Sequence, residues 1–261
     1  MLPAGGRSLR VRDPTSEDEL LLLENELEPA LAVLELARRV LVHVHGAPLE
    51  LSGLPASELG ALALCIRRAW LGDTIATEAT CTAPGCAEPI DVSFSASAYL
   101  EHHQPRPARG VQADAEGWHL LRGTELRFRV PLVEDLLAVH ADDRADGEPG
   151  VAAGTLLARC VPDAKLTAAH ARRIDRALSA LAPSLDDLVA GDCPACAATV
   201  QLRFEPCSFV LAELRAAFAP IYLETHLIAA RYGWGEQAIL DLPRRRRRHY
   251  ARLAAEEREA A

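Results

Sequence analysis

Apolar and polar positions along this chain change period several times, and each change marks an element. In LRVRDPTSEDELLLLE the alternation from Leu9 breaks at Asp13-Pro14. Thr15 or Ser16 then stands before an acidic first turn, which predicts a short strand followed by a capped helix. A second helix is expected from Pro29 to about His45, ended by Gly46 and Pro48, with His43 and His45 suited to C-terminal capping. Ser57 is placed to cap a third, whose Leu59, Leu62, Ile66 and Trp70 share one stripe and which Gly72 stops. The β-branched run TIATEAT leads into Cys81 and IDVSF leads away from Cys86, so this cysteine pair sits at the turn between two short strands.

From Glu101 to Gly123 Pro, Gly and charge are scattered without an apolar period, which predicts a linker with His102 and His103 in a solvated loop. Beyond it the first succession returns. A strand TELRFRV precedes a helix from near Pro131, an exposed acidic loop ADDRADGEPG and an amphipathic helix with Ile174, Leu178 and Leu181. Then come Cys193, Cys196 and a helix carrying Val210, Leu214, Phe218 and Ile221, which Pro220 should kink or restart. Laying Leu9–Leu20 on Leu126–Leu137, a shift of 117 (126 minus 9), makes seven of twelve positions identical. Cys86–Phe94 lies on Cys196–Phe204 at a shift of 110 (196 minus 86), and a Phe follows the last Cys by eight in both. The expected fold is α+β and mainly helical. Two duplicated halves of helices plus a zinc-knuckle hairpin, residues 1–123 with the linker and 124–215, share one four-cysteine site. Residues 216–261 form a helical C-terminal extension of three short helices punctuated by Gly233, Gly235 and Pro243.

Composition narrows the chemistry. At 261 residues and 49% hydrophobic the chain is globular in character. Seven cysteines, without a charged-then-apolar leader, fit a reducing cytoplasm better than a secreted disulfide framework, so metal binding is the first reading of the close pairs. The longest apolar run, around Ala30–Val44, is broken by Glu35, Arg38 and Arg39 and falls short of the roughly 18 clean residues of a membrane span. No membrane partner is expected. A net charge of -9 opposes whole-protein attraction to nucleic acid.

CPAC supplies two thiolates from one tight turn, and CTAPGC, with Pro84-Gly85, allows a second. Together Cys81, Cys86, Cys193 and Cys196 make a tetrahedral zinc set with no position left for water, hence a structural ion and not a catalytic one. The alternatives are free thiols or local disulfides. A redox motif is disfavoured because a strand, not a helix N-terminus, follows Cys193. Cys65, Cys160 and Cys207 fall in apolar helical settings, as buried small hydrophobes do. His226 shares its helix with Glu224 and is expected on the helix surface. No motif for a nucleophile, phosphate loop or metalloprotease occurs, so no catalytic residues are assigned. Arg244–Arg248, with His249, Tyr250 and Arg252, form a basic patch. With Glu256, Glu257 and Glu259 following, an acidic partner is preferred over nucleic acid.

The cysteine knuckles after helices, the LLARC phrase at Leu156–Cys160 and the ending THLIAARYGWGEQAILDLPRRRRRHYARL together resemble a family encoded among phage-tail genes. That family is similar to the T-even phage baseplate hub assembly chaperones and occurs in contractile tails and related injection systems. The resemblance spans roughly Ala30 to Leu253, and CTAPGC departs from the CxxC usual at the first knuckle. It implies a non-enzymatic protein that assembles, or remains in, a baseplate and binds baseplate, hub or tube proteins, cytoplasmic or incorporated in the particle. Tyr232, Trp234, Ile239, Leu240, Arg245, Arg248 and Tyr250 are the expected partner contacts. The alternative is a zinc-ribbon nucleic-acid-binding regulator.

Overall fold

A computed structural model describes residues 10–42, 50–146, 152–162 and 166–259. His43, His45, Gly46 and Pro48, and the end of the acidic loop from Gly147, lie outside them. β1 (Arg10–Val11) pairs antiparallel with β2 (Leu41–Val42). Between them run α1 (Ser16–Glu24) and α2 (Pro29–Val40). Both the N–H and the hydroxyl of Thr15 donate to Asp18 Oδ2, at 2.8 and 2.9 Å, which fixes the start of α1. Glu28 caps α2 by accepting from the N–H groups of Ala30 and Leu31, with Pro29 at the first helical position. That helix ends at Val40, short of His45, because Leu41 and Val42 extend to pair with β1.

α3 (Glu58–Leu71) stops at Gly72, whose φ of 95° a side chain would resist. Ser57 makes no capping bond, contrary to expectation; it is already in helical conformation, and the Glu58 and Leu59 N–H groups bond to Pro55 and Ala56 carbonyls. β3 (Thr74–Thr80) and β4 (Pro89–Ser95) form the first hairpin, with α4 (Ala96–His102) after it. The expected linker is structured: β5 (Val111–Ala113) and β6 (His119–Leu121), too short to show a period, pair antiparallel within it, and β7 (Arg127–Phe128), in the expected strand TELRFRV, joins β6 as the third strand.

α5 (Val133–Asp146) runs well into the expected acidic loop, since the sequence offers no helix breaker before Gly147. α6 (Ala152–Cys160) and α7 (Ala168–Leu181) lead to the second hairpin, β8 (Asp187–Asp192) and β9 (Thr199–Phe204). Then follow α8 (Pro206–Phe218), α9 (Pro220–Tyr232), α10 (Glu236–Leu240) and α11 (Arg244–Glu259). Pro220 restarts the helix, and Gly233 ends α9 at a left-handed φ of 67°.

Apart from β2, which has no counterpart among the described residues, the element order of the first part, β1, α1, α2, α3, hairpin, α4, is repeated as β7, α5, α6, α7, hairpin, α8. Corresponding positions also make the same bonds. Arg12 Nη1 and Nη2 donate to Asp18 at 2.6 and 3.0 Å, and Arg129 does the same to Asp135 at 2.5 and 2.8 Å. The N–H groups of Thr15 and Leu132 bond those same carboxylates. The N–H groups of Arg12 and Arg129 reach the helix-end carbonyls of Val40 and Cys160, each at 3.0 Å. Both aspartates are buried, so two of the identities common to the segments, the Arg and the Asp, form the same fork-shaped ion pair in each.

The main core is drawn from both parts: α1, α2 and α3 close around Val210, Leu211, Leu214 and Phe218 of α8. Arg67 clamps α3 to α8 through Glu213 at 2.9 and 3.0 Å. α4 reaches the other way, with Tyr99 Oη donating to the Leu185 carbonyl at 2.7 Å. A second core joins the three-stranded sheet to α6 and α7 through Leu121, Phe128, Cys160 and Ile174. A third gathers Ile228, Ile239 and Ala251 among α9, α10 and α11. α8 and α9 together make one helical run, Pro206–Tyr232, long and apolar enough by composition to cross a membrane. One side of it packs in the cores through Val210, Leu214, Phe218 and Ile228, Tyr222 and Leu223 are exposed, and its Glu213 and Glu224 are held by Arg67 and Arg247.

Candidate metal centre and C-terminal surface

The two hairpins meet turn to turn. The Sγ atoms of Cys81 and Cys196 stand 3.7 Å apart and those of Cys86 and Cys193 3.8 Å. All four sulfurs lie within 4.8 Å of one another. A metal bound at about 2.3 Å to four sulfurs requires a tetrahedron edge of about 3.8 Å, so the spacing suits an ion at the centre. It is far too long for disulfides, which need S–S near 2.05 Å.

Local backbone explains how each turn aims its sulfurs. The Cys81 N–H bonds to the Glu88 carbonyl and the Cys193 N–H to the Ala198 carbonyl, each at 2.9 Å. Ala87 and Ala197, directly after the second cysteine of each pair, take left-handed φ values of 52° and 57°. That conformation costs an alanine, yet it occurs at matching positions and nowhere else among described residues other than glycine. Gly85, at φ 80°, accommodates the extra length of CTAPGC. The Ala83 N–H points at Cys81, the Glu88 N–H at Cys86, and the Cys196 and Ala195 N–H groups at Cys193.

These contacts separate the thiols. Cys193 is drawn down to about 7, first by the Cys196 N–H. The Glu88 N–H favours the Cys86 thiolate, but the neighbouring sulfurs, Cys196 first, outweigh it and push Cys86 up to about 12. The Cys193 sulfur ionises readily while Cys81 and Cys86 resist a further negative charge beside it, so a set of thiolates here calls for a cation among them. Beneath the turns Phe94 and Phe204, each eight residues after its cysteine, meet edge to face at 5.1 Å. The metal-site sulfurs and these rings thus tie the hairpins at two levels.

The remaining cysteines are no ligands. Burial pushes the Cys160 thiol to about 11 and the Cys207 thiol to about 12, and raises Cys65 as well. Cys160 is fully buried, whereas Cys65 and Cys207 are only partly covered. His103, expected in a solvated loop, is buried at the end of α4. Its Nδ1 lies 2.9 Å from the Tyr99 carbonyl and its Nε2 3.2 Å from Asp187. His102 is exposed beside it, and His226 is exposed on α9.

The C-terminal residues divide. Ile239 is fully buried in the core of α9, α10 and α11, which corrects its placement on a contact surface: the turn after Gly235 rolls it inward. Tyr232, Trp234 and Tyr250 pack on one another with ring centroids 5.2 to 6.0 Å apart, and of these Trp234 is exposed. Leu240 is half-buried and Arg245 and Arg248 are exposed. The arginine run is not one patch. Arg247 is 1% exposed; it donates to Glu224 at 2.8 Å, to Ser16 Oγ at 2.5 Å and to Glu19. Arg244 also pairs with Glu19, at 2.9 Å, and covers the Phe218 ring. Sequence reasoning missed both roles, because Glu19 and Glu224 lie far away in the chain.

Comparison of the chain with protein-family models, curated proteins and solved structures yields no match.

Proposed function

We propose that this protein is a non-enzymatic assembly or structural component of a contractile tail-like particle, two copies of one module clasped by a structural zinc ion. The observation that carries the clasp is the tetrahedral spacing of four sulfurs contributed equally by two hairpins with matching backbone bonds. Four thiolates leave no coordination position for water or substrate, which favours a structural role over hydrolysis. All-sulfur donors in a tetrahedron suit zinc, with iron the competitor. The particle assignment rests on the closing segment of the sequence, from Tyr232 to Tyr250. That segment carries the exposed Trp234, Arg245 and Arg248.

The test is co-expression with the tube, sheath and baseplate proteins of one particle, followed by affinity purification. Recovery of a tail protein, reduced when Trp234, Arg245 and Arg248 are changed to Ala, is the expected result. Particles that assemble fully without the chain, with no tail protein retained on it, overturn the reading. The exposed Arg245, Arg246 and Arg252 favour a nucleic-acid-binding regulator as the second reading. That reading requires DNA binding that weakens steeply as salt rises above about 50 mM.

A further inference from the structure

Arg245, Arg246 and Arg252 line a groove. One wall is the start of α1 with the end of α3, where the partly exposed Leu20 and Trp70 line it; the other is α10 with the first turns of α11. Its volume is about 1760 Å³, beyond the roughly 300–1,000 Å³ of small-molecule sites, so a chain segment suits it better than a metabolite. Leu20, Trp70, Leu240 and Leu242 give it an apolar floor. Trp70 is held there by its Nε1–H, which donates to the Arg12 carbonyl at 2.9 Å, and by the Phe218 ring at 5.7 Å.

The charge on the α11 wall runs against local preference. Arg244 to Arg248 occupy the N-terminal end of a 16-residue helix, where the helix dipole is positive and carboxylates are favoured. Arg244 and Arg247 are explained by Glu19 and Glu224. Among the described residues Arg245 and Arg246 have no carboxylate within ion-pair distance, and Arg252 has the exposed Glu256 at 3.7 Å. Fold stability alone would not keep Arg245 and Arg246 at this helix end; an anionic ligand would.

We infer that this groove docks an acidic segment of a partner protein, apolar side chains on the Trp70 floor and carboxylates on Arg245, Arg246 and Arg252. The partner's existence rests on the assembly reading above, whereas the ligand chemistry comes from the groove. A nucleic-acid backbone fits less well, because Asp13, Glu17 and Asp241 also line the groove and would repel phosphates along it. Side chains spaced along a peptide can leave those positions uncharged.

The experiment uses the full metal-loaded chain and fluorescein-labelled peptides of about four helical turns. One peptide carries Glu and Asp on one face and Leu and Trp on the other. A second replaces the acids by Gln and Asn, a third replaces the apolar residues by Ser, and an oligothymidine serves as the nucleic-acid probe. In fluorescence anisotropy the first should bind roughly tenfold more tightly than any other probe. Arg245→Glu with Arg246→Glu should weaken it at least about tenfold, while the same charge change at Arg172 and Arg176, exposed on α7, should leave it within about twofold. Equal binding of the neutral peptide, no binding at about 100 μM, indifference to the charge reversal, or tighter binding of oligothymidine overturns the groove assignment. Tail proteins retained undiminished by the charge-reversed chain would leave the assembly reading standing and remove this site. Acidic-peptide binding without any tail partner would do the reverse.

Discussion

Arg247→Ala tests how the C-terminal helix is joined to the rest. The guanidinium is 1% exposed, with Glu19 0% and Glu224 11% exposed at the side chain, so its removal leaves carboxylates in a place water does not reach. Breaking a buried pair costs about 3–5 kcal/mol. Arg244 remains 2.9 Å from Glu19 and Arg248 3.5 Å from Glu224, which places the loss near the lower end, about 3 kcal/mol. At roughly 2–4 °C per kcal/mol for a chain of this size, the melting temperature should fall by about 6–12 °C.

The loss should also depend on pH. Burial raises the Glu19 pKa even with both arginines present. A carboxyl raised in the folded state contributes its full stability below its unfolded value, and that contribution is lost as pH rises through the folded value. Removing Arg247 raises Glu19 further, so the deficit against wild type should widen as pH rises above the usual carboxylate range. Denaturant melts over a series of pH values measure it. Arg247→Met with Glu19→Leu and Glu224→Leu should restore most of the stability, since no buried charge then lacks its partner. A deficit under about 1 kcal/mol, or one flat with pH, refutes the burial argument.

Metal analysis of the purified chain should find one zinc ion, lost equally in Cys81→Ser and Cys193→Ser, and cobalt should give an all-thiolate tetrahedral spectrum; two partial sites would contradict a shared centre. Ala87→Gly and Ala197→Gly should each raise stability by about 1 kcal/mol, read as a higher denaturation midpoint, because the left-handed turn then carries no Cβ; a drop would show that the φ values of 52° and 57° are not strained. Asp135→Asn should destabilise the chain at neutral pH. Asp135 is buried, and the Arg129 and Arg159 guanidiniums with the Leu132 N–H hold its pKa down to about 2. Its contribution is present above the unfolded value near 3.9 and fades as pH falls toward 2, so the variant and wild type should converge in acid unfolding.

Much of the local structure was legible along the chain. Thr15 before three acids, Gly72, Pro220 and Gly233 act within a turn of where they stand, so the starts and ends they mark need no distant contact. The cysteine pairs were legible for the same reason: each turn is made by adjacent residues, and their shared spacing from a Phe announced two of them. α4 and the two small strands of the expected linker were not, because three-residue strands carry no period and exist only through their partners.

What tertiary structure alone decided is which side chains meet. Charge signs in the sequence made Arg244–Arg248 a single basic run, but burial against Glu19 and Glu224 turns Arg244 and Arg247 inward and leaves Arg245, Arg246 and Arg248 to solvent. Ile239 fell the same way, drawn into a core that α11 completes only after the chain turns back. The sequence by itself determined two sulfur pairs and a basic tail, both written in neighbouring residues. The fold determined that the pairs come together as one four-sulfur cluster and that most of the arginine run lines a groove, because those outcomes depend on contacts between residues far apart in the chain, which no local pattern encodes.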